Sequence, residues 1–283
     1  MNPETLMAKH ARSFAPAARL LPRSDRLRIA RLYAVCRSID DIADEIGGDV
    51  GFDRLTKLHS ALGHTAPRDH LAVEAHDLFK DRPIGLGALA DLVAMAAKDT
   101  GDTCLSDAAS LDAYCMGVAG TVGVMVCTLF DIDKIHHPKA ADLGKAMQLS
   151  NICRDVADDA RIGRRYLPFD LCPYPPEAII VGDPAALDAA ESAMASLLDQ
   201  ADDLYRSGKS ALAVLPWRLR LAVAAAAAMY AGIGTELRLR RLQPLAGRAV
   251  VPVARKAGLA FGAIAREIIE TRNRESRSKH ASA

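Results

Sequence analysis

The sequence predicts an all-α protein. Nearly every long segment repeats its apolar residues with the period of a helix, which is the main sequence signal for helical structure. Alternating runs of Val, Ile and Thr bounded by turn residues, which indicate strands, are absent from the sequence. Half of the 283 residues are hydrophobic, and no stretch has the composition of a linker. We therefore expect one domain over residues 1–283, with a flexible polar tail from about residue 274.

The same pattern predicts the helices in order. The first long helix spans residues 23–46, and the pair Gly47-Gly48 ends it. Residues 161–176 are predicted to form a loop, because Gly163 and four prolines interrupt the periodicity there. The other helices are predicted at about 53–63, 70–80, 85–98, 108–131, 138–161, 186–206, 209–241 and 247–274.

One segment approaches the length of a membrane span. No charged residue occurs between Asp112 and Asp131, and a bilayer helix needs about 20 apolar residues. Gly117, Gly120 and Gly123 interrupt this stretch. We therefore expect a buried central helix.

The charge balance excludes one class of partner. The 36 Lys and Arg residues match the 35 Asp and Glu residues, so we expect no nucleic-acid binding. Basic residues dominate only after Glu236, where a solvated helix face is one interpretation and anionic lipid headgroups or a substrate phosphate are the others. The N-terminus has no apolar signal sequence, and the six cysteines lack metal-type spacing, as in reduced core residues. We expect a cytoplasmic protein with peripheral membrane contact.

Two acidic runs carry oxygen ligands at helical spacing. Asp40 and Asp44 are four residues apart, and Asn151, Asp155 and Asp159 repeat the same interval. Each set therefore lies on one side of its helix, where like charges repel unless a cation lies among them. Either run alone is also typical of an exposed helix face. Together they indicate Mg²⁺ ions that hold a diphosphate.

A metal-held diphosphate implies a particular chemistry. The metal neutralises charge on the leaving oxygens, and an allylic substrate then leaves a carbocation. Such a cation needs a pocket with apolar or aromatic walls from which water is excluded. Arginines beside the two runs suit phosphate oxygens, although ordinary salt bridges explain each one equally well: Arg37, Arg154, Arg164 and Arg165.

Three segments in this order resemble the squalene and phytoene synthase family: Leu32–Glu45, Tyr114–Gly123 and Gln148–Pro168. The resemblance extends from about His10 to Ala257. It implies the isoprenoid synthase fold, a helical bundle around a central hydrophobic cavity. It also implies a prenyltransferase that joins two identical prenyl diphosphates head to head (1′-1) through a cyclopropylcarbinyl diphosphate.

The resemblance also assigns roles to residues. Those that would bind Mg²⁺, or Mn²⁺ in its place, are Asp40, Asp44, Asn151, Asp155 and Asp159. Gln148 would line the reaction centre, and Tyr114 and Tyr166 would face the cavity near the migrating cation. Residues that would approach the diphosphates are His10, Arg12, Ser13, Tyr33, Arg37, Arg164, Tyr230, Arg248 and Lys256.

The choice of product rests on weaker likeness. Leu215–Arg218, Tyr230–Gly234 and Gly247–Pro252 look most like bacterial phytoene synthases, which join two geranylgeranyl diphosphates in carotenoid biosynthesis. Tyr33–Glu45 also resembles C30 enzymes that convert farnesyl diphosphate to dehydrosqualene or presqualene diphosphate. We expect C20 substrates with C15 as the alternative, no NADPH, and a downstream desaturase as a partner. A terpene cyclase, a chain-elongating prenyltransferase and an inactive assembly partner are the competing interpretations.

Overall fold

A computed structural model describes residues 2–11, 14–101 and 103–281, with side chains described as far as residue 273. In this part of the chain the α-helices are α1 Pro3–His10, α2 Phe14–Ala18, α3 Arg23–Asp41, α4 Gly48–Leu62, α5 His70–Leu78, α6 Pro83–Lys98, α7 Ala108–Cys115, α8 Thr121–Leu129, α9 His137–Arg161, α10 Pro176–Ile180, α11 Pro184–Ser210, α12 Trp217–Leu239 and α13 Val253–Ala281. The same residues contain no strand, only one isolated bridge between Cys104 and Arg165. The all-α prediction is confirmed.

The predicted helix over 209–241 is wrong at its start. Helix α11 instead continues to Ser210, a 3₁₀ turn spans Leu212–Val214, and α12 begins at Trp217. Pro216 explains the break, because proline inside a helix lacks the N–H donor and clashes with the preceding turn. The periodicity also missed three short helices, α1, α2 and α10. Helix α13 reaches Ala281, and the flexible tail expected from about residue 274 stays a prediction.

Helix α9 is the centre of the packing. It contacts α7, α8, α10, α11 and α12. Its buried residues recur at helical spacing and include Ala146, Leu149 and Cys153. A second cluster of buried side chains joins α3, α4, α5, α6 and α8, and a third joins α2, α12 and α13. Because its neighbours surround α9 on several sides, side chains on its remaining face are held in fixed positions.

Helices α8 and α9 approach each other at the level of the backbone. A Cβ atom on Gly123 would lie 2.2 Å from the Ala140 carbonyl oxygen, and one on Gly144 would lie 2.1 Å from the Ala119 carbonyl oxygen. Neither distance is possible for a real side chain. The two glycines therefore permit the contact, and they pair residue 123 with residue 140 and residue 144 with residue 119, as in antiparallel helices.

Two π-helical turns interrupt the long helices. Ile42–Ile46 extends α3 to Gly47, whose φ of 58° lies in the left-handed region that glycine favours. Met116–Gly120 joins α7 to α8. Such turns are rare and occur frequently at functional sites. The first carries Asp44 and so determines the direction in which that acidic side chain points.

The segment from α7 to α8 is the charge-poor stretch noted above. Ala108–Leu129 is one helix that could cross a membrane by length and composition alone. In this structure half of its most apolar 18-residue window is buried, and the segment packs against α6 and α9. That packing is typical of a core helix in a globular protein. The six cysteines are free thiols; four are buried, and Cys104 is exposed.

Candidate active site

A cavity of about 320 Å³ lies beside α9. Its walls are mostly apolar; most of its polar side chains lie at one end, and His136 lines it near the other. The polar lining residues at that end are Tyr33, Asp40, Gln148, Asn151 and Tyr230, and the apolar ones include Phe14, Leu92, Val118, Val122, Val126, Leu143, Met147 and Val223. This combination suits a ligand with a charged head and a hydrocarbon tail.

One face of α9 lines this cavity along its length. Ala140, Leu143 and Gly144, Met147 and Gln148, and Asn151 follow one another at intervals of three and four residues. At 1.5 Å per residue, the 11 steps from Asn151 to Ala140 span roughly 16 Å. The other wall contains residues 118–127, which run antiparallel to α9. Asn151 therefore marks the polar end of the cavity, and Ala140 lies deep in its apolar part.

Both acidic runs lie at the polar end. Asp40 lines the cavity from α3, and Asn151 lines it from α9. Arg164 Nη1 donates to Asp44 Oδ1 at 2.7 Å, so the turn after α3 and the residues after α9 are in direct contact. The folded chain thus brings together two sequence motifs that lie more than 100 residues apart.

Two of these carboxyl groups have strongly raised pKa values. Burial raises the pKa of Asp40 to about 7, with a further increase from Asp44 and an opposing effect from Arg37. Burial likewise raises the pKa of Asp159 to about 7, with a further increase from Asp155 and an opposing effect from Arg164. Protein surrounds Asp40 on most sides, yet its carboxylate is exposed to the solvent in the cavity. The charged form of both carboxyl groups is therefore disfavoured, and a bound cation would offset this.

The amide of Asn151 has an unused acceptor. Its Oδ1 atom is buried and has no hydrogen-bond partner, while its Nδ2 donates to Gln148 Oε1 at 3.3 Å. A buried acceptor without a partner is costly, and most such atoms in proteins are paired. Oxygen is the donor that Mg²⁺ prefers, so Asn151 and the neighbouring carboxylates fit this metal chemically. Among the described residues, no three His, Cys, Asp or Glu side chains form a ready-made metal cluster.

Arginines occupy the other carboxylates. Asp155 accepts from Arg154 Nε at 2.8 Å and pairs with Arg248 Nε at 3.0 Å. Arg37 pairs with Asp41 at 2.5 Å. These three arginines are thus paired with the acidic runs, and none of them is among the residues that line the cavity. Arg165, for which the sequence left a phosphate and a salt bridge open, is buried and donates to the Tyr174 and Leu105 carbonyl oxygens.

Tyr114 and Tyr166 meet at a residue that the sequence did not single out. Their rings stack with centroids 4.8 Å apart, and both hydroxyls donate to Asp99, at 2.9 and 2.8 Å. Thr103 donates to the same carboxylate at 2.6 Å. Burial raises the pKa of Asp99, while these hydrogen bonds and Arg164 lower it. Both tyrosines are buried, and neither is among the residues that line the cavity, so their expected place near the migrating cation stays a prediction.

The remaining predicted residues lie in several places. Tyr33 and Tyr230 line the cavity, and Tyr230 contacts Phe14 with ring centroids 5.1 Å apart. His10 is exposed at the end of α1, and Lys256 is half-buried near the start of α13. Arg12 and Ser13 lie outside the described residues. Phe14 was not predicted, because a single aromatic residue in a short helix gives no periodic signal.

Comparisons with known proteins agree on one family. The sequence pattern of the family described as "Squalene/phytoene synthase" matches residues 7–262. A phytoene synthase of Rhodobacter capsulatus is 34% identical over 266 residues, which cover 87% of this chain and 75% of the relative. A 15-cis-phytoene synthase of a Paracoccus species is 34% identical over 271 residues, or 89% and 85% of the two chains. The crystal structure of a dehydrosqualene synthase with a ligand has the same fold, with a TM-score of 0.81, 24% identity and 95% coverage of both chains.

Proposed function

The chain belongs to the squalene/phytoene synthase family, and we propose that it is a prenyltransferase that condenses two geranylgeranyl diphosphates head to head to phytoene. The reaction would pass through a cyclopropylcarbinyl diphosphate. The observation that carries the proposal is the cavity itself, whose apolar length ends at a rim with both acidic runs. The identity to phytoene synthases over most of their length supports the C20 product.

Metal binding at the rim is part of this proposal. Asp40, Asp44, Asn151, Asp155 and Asp159 would hold Mg²⁺, or Mn²⁺ in its place. The partnerless Asn151 oxygen and the raised pKa values of Asp40 and Asp159 support it, since both features call for a cation. The metal supplies Lewis-acid stabilisation of the departing diphosphate.

The arginines at the rim would bind the same diphosphates directly. Arg164 and Arg248 pair with Asp44 and Asp155, the residues that would turn toward the metal. A planar guanidinium can exchange a carboxylate for a phosphate, because the two anions offer similar pairs of oxygens. Each arginine would then hold the charge that its carboxylate releases.

The apolar wall would protect the carbocation. Val118, Val122, Leu143 and Val223 offer no nucleophile to the reactive carbon, and Phe14 and Tyr230 place aromatic rings near the polar end. Excluding water prevents its addition to the cation. Gln148 lies on the face of α9 between the metal-binding residues and the apolar wall, where the two chains would be joined.

We place the enzyme in the cytoplasm, with peripheral contact to a membrane that receives the hydrocarbon product and the desaturase that would use it. Val250, Val253 and Phe261 are exposed and lie in the same stretch of sequence as the basic residues Arg248 and Arg255, a combination that suits an anionic bilayer surface. Sedimentation with vesicles that contain anionic lipid, compared with neutral vesicles, tests this contact. If equal amounts of protein sediment with anionic and with neutral vesicles, the basic residues do not contribute to membrane binding.

The experiment that tests the activity supplies the purified protein with Mg²⁺ and either geranylgeranyl or farnesyl diphosphate, with and without NADPH. Release of diphosphate and a C40 hydrocarbon from the C20 substrate, independent of NADPH, is expected. A C30 product as the main outcome would replace phytoene synthase by a dehydrosqualene or squalene synthase. A cyclised or elongated product from one chain, or no diphosphate release, would overturn the head-to-head assignment.

A further inference from the structure

The deep end of the cavity is closed by the end of α11 and the 3₁₀ turn that follows it. A Cβ atom on Gly208 would lie 2.8 Å from Leu143 Cβ and 3.1 Å from the Lys139 carbonyl oxygen, so this part of α11 packs against α9 at residues 139–143. Ala211, Leu212 and Val214 continue the lining from there. These residues form the floor of the cavity, opposite the rim at Asn151.

The depth of the floor can be compared with the length of a prenyl chain. An extended chain advances roughly 1.2 Å per bond, as the peptide backbone does. On that basis the farnesyl group and its oxygen span roughly 14 Å, and the geranylgeranyl group roughly 19 Å. Ala140 lies roughly 16 Å below Asn151 along α9. A farnesyl chain held at the rim therefore ends above Ala140, and a geranylgeranyl chain reaches past it.

The residues at this level leave room for the longer chain. The side chains of Ala140 and Ala211 are single methyl groups, and Gly208 lets α11 pack directly on Leu143. The larger side chains of Leu212, Val214 and Leu215 line the same end, so Ala140 and Ala211 are the positions where a bulkier side chain would take up space. The space for a fourth isoprene unit thus depends on small residues at one depth.

We propose that Ala140 and Ala211 determine the chain length, so that the cavity selects C20 over C15 prenyl diphosphates by the depth of its floor. This inference rests on the proposed function and specifies its substrate. The fourth isoprene unit adds apolar contact at the floor, whereas a farnesyl chain leaves that space unfilled. A preference for the C20 substrate of roughly tenfold or more in kcat/KM follows from the burial of several additional carbon atoms.

The test replaces each of the two alanines at the floor of the cavity by a larger residue. In Ala140→Phe and Ala211→Phe the ring occupies the space of the fourth unit, so kcat/KM for geranylgeranyl diphosphate should fall by roughly tenfold or more. The value for farnesyl diphosphate should stay within about threefold of wild type. Ala185→Phe is the matched control, since Ala185 is exposed on α11 and does not line the cavity. It should leave both values unchanged.

A binding measurement separates chain length from turnover. In both variants the dissociation constant of the non-hydrolysable geranylgeranyl thiodiphosphate should rise, while that of the farnesyl thiodiphosphate should change little. Thermal unfolding reports whether each variant folds. If one variant does not fold, the result for the other variant tests the inference about chain length. Equal losses for both chains in a folded variant, or an unchanged C20 preference, would overturn the inference. A wild-type protein that joins neither substrate would instead contradict the proposed function.

Discussion

Arg164 donates to Asp44 at 2.7 Å, across 120 residues of sequence, and this ion pair links the two acidic motifs at the rim of the cavity. The arginine side chain is largely buried, whereas Asp44 is more than half exposed. The carboxylate can therefore turn toward solvent or a cation without disturbing the core. The guanidinium is held in place and becomes available to an anion once Asp44 leaves it.

The first prediction concerns Asp155. Asp155→Asn removes a charged oxygen from the proposed metal site, and we expect kcat/KM to fall by roughly a hundredfold or more, since metal-assisted charge stabilisation contributes several kcal/mol. Diphosphate release at saturating Mg²⁺ measures this. Asp158→Asn is the matched control, because its side chain is half-exposed and pairs with Arg161 on the outside of α9. Normal activity in Asp155→Asn would argue against the metal assignment.

The second prediction concerns Arg248, which pairs with Asp155 from an exposed position. We expect Arg248→Ala to raise KM about tenfold with little change in kcat, because its charge would contact diphosphate in the ground state and the transition state alike. Steady-state kinetics with the C20 substrate measure it. Arg240→Ala, at an exposed site after α12, should have no effect. An unchanged KM in Arg248→Ala would mean that this residue, in the segment between α12 and α13, is only a solvated surface charge.

The third prediction follows from the raised pKa values of Asp40 and Asp159. Each carboxyl keeps its proton in the folded state up to about pH 7, whereas the unfolded side chain loses it near the ordinary pKa of 3.8. The folded state thus binds more protons between these values, so the free energy of unfolding should fall as pH rises from about 4 to about 7. Urea unfolding of the metal-free protein across this range measures the decrease.

The double variant Asp40→Asn, Asp159→Asn is the control for that prediction. It lacks both titrating groups, so its stability should decrease less steeply over the same pH range. Mg²⁺ with inorganic diphosphate should raise the unfolding temperature of the wild type more at pH 8 than at pH 6, because the ionised carboxylates bind the cation. Parallel curves for the two proteins would mean that other groups cause the pH dependence.

The fourth prediction concerns Asp99. Asp99→Asn replaces an acceptor of three hydroxyl hydrogen bonds by an amide whose nitrogen cannot accept them. We expect a loss of about 1–3 kcal/mol in the free energy of unfolding, because a buried donor is left without a partner. Combining it with Tyr166→Phe should cost less than the sum of the single variants, since both remove the same hydrogen bond. If urea unfolding shows that the loss in the double variant equals the sum of the two single losses, the hydrogen bond between Tyr166 and Asp99 is contradicted.

The fifth prediction tests the contact between α9 and the π-helical turn Met116–Gly120 that precedes α8. Gly144→Ala would place a methyl group 2.1 Å from the Ala119 carbonyl oxygen, so the helices must separate. We expect a loss of roughly 2 kcal/mol or more, together with reduced activity, because overpacking shifts the backbone along the cavity wall. Gly87→Ala in α6 is the control: nothing lies within 4 Å of its added methyl group, and it should stabilise the protein by about 0.5–1 kcal/mol. Equal unfolding midpoints for the two variants would contradict this account.

Local sequence patterns predicted the parts of the fold that depend on one helix at a time. The acidic residues at four-residue spacing, the end of the first long helix at Gly47 and the charge-poor central segment are visible in the sequence because one period governs them. The break at Pro216 was missed since alanine-rich periodicity on both sides concealed it. The two π turns have no pattern that periodicity alone reveals.

Long-range contacts explain what the sequence left open at the site. Asp99 follows α6 and belongs to no repeating motif in the sequence. Tyr114 and Tyr166 come into contact with it only in the folded chain. Arg164 and Arg165 are neighbours in sequence, yet one faces Asp44 and the other donates to buried carbonyl oxygens. The floor of the cavity likewise combines residues of α9 and α11 that are about 70 positions apart.

The pairing of Gly123 with Ala140 and of Gly144 with Ala119 has a consequence for how this enzyme can diversify. Because the two backbones are already in contact, they cannot move closer together, and the width of the cavity is fixed at that level. Substitutions at residues 208–214, which change the depth of the cavity and not its width, are therefore the ones that we expect to alter the range of substrates.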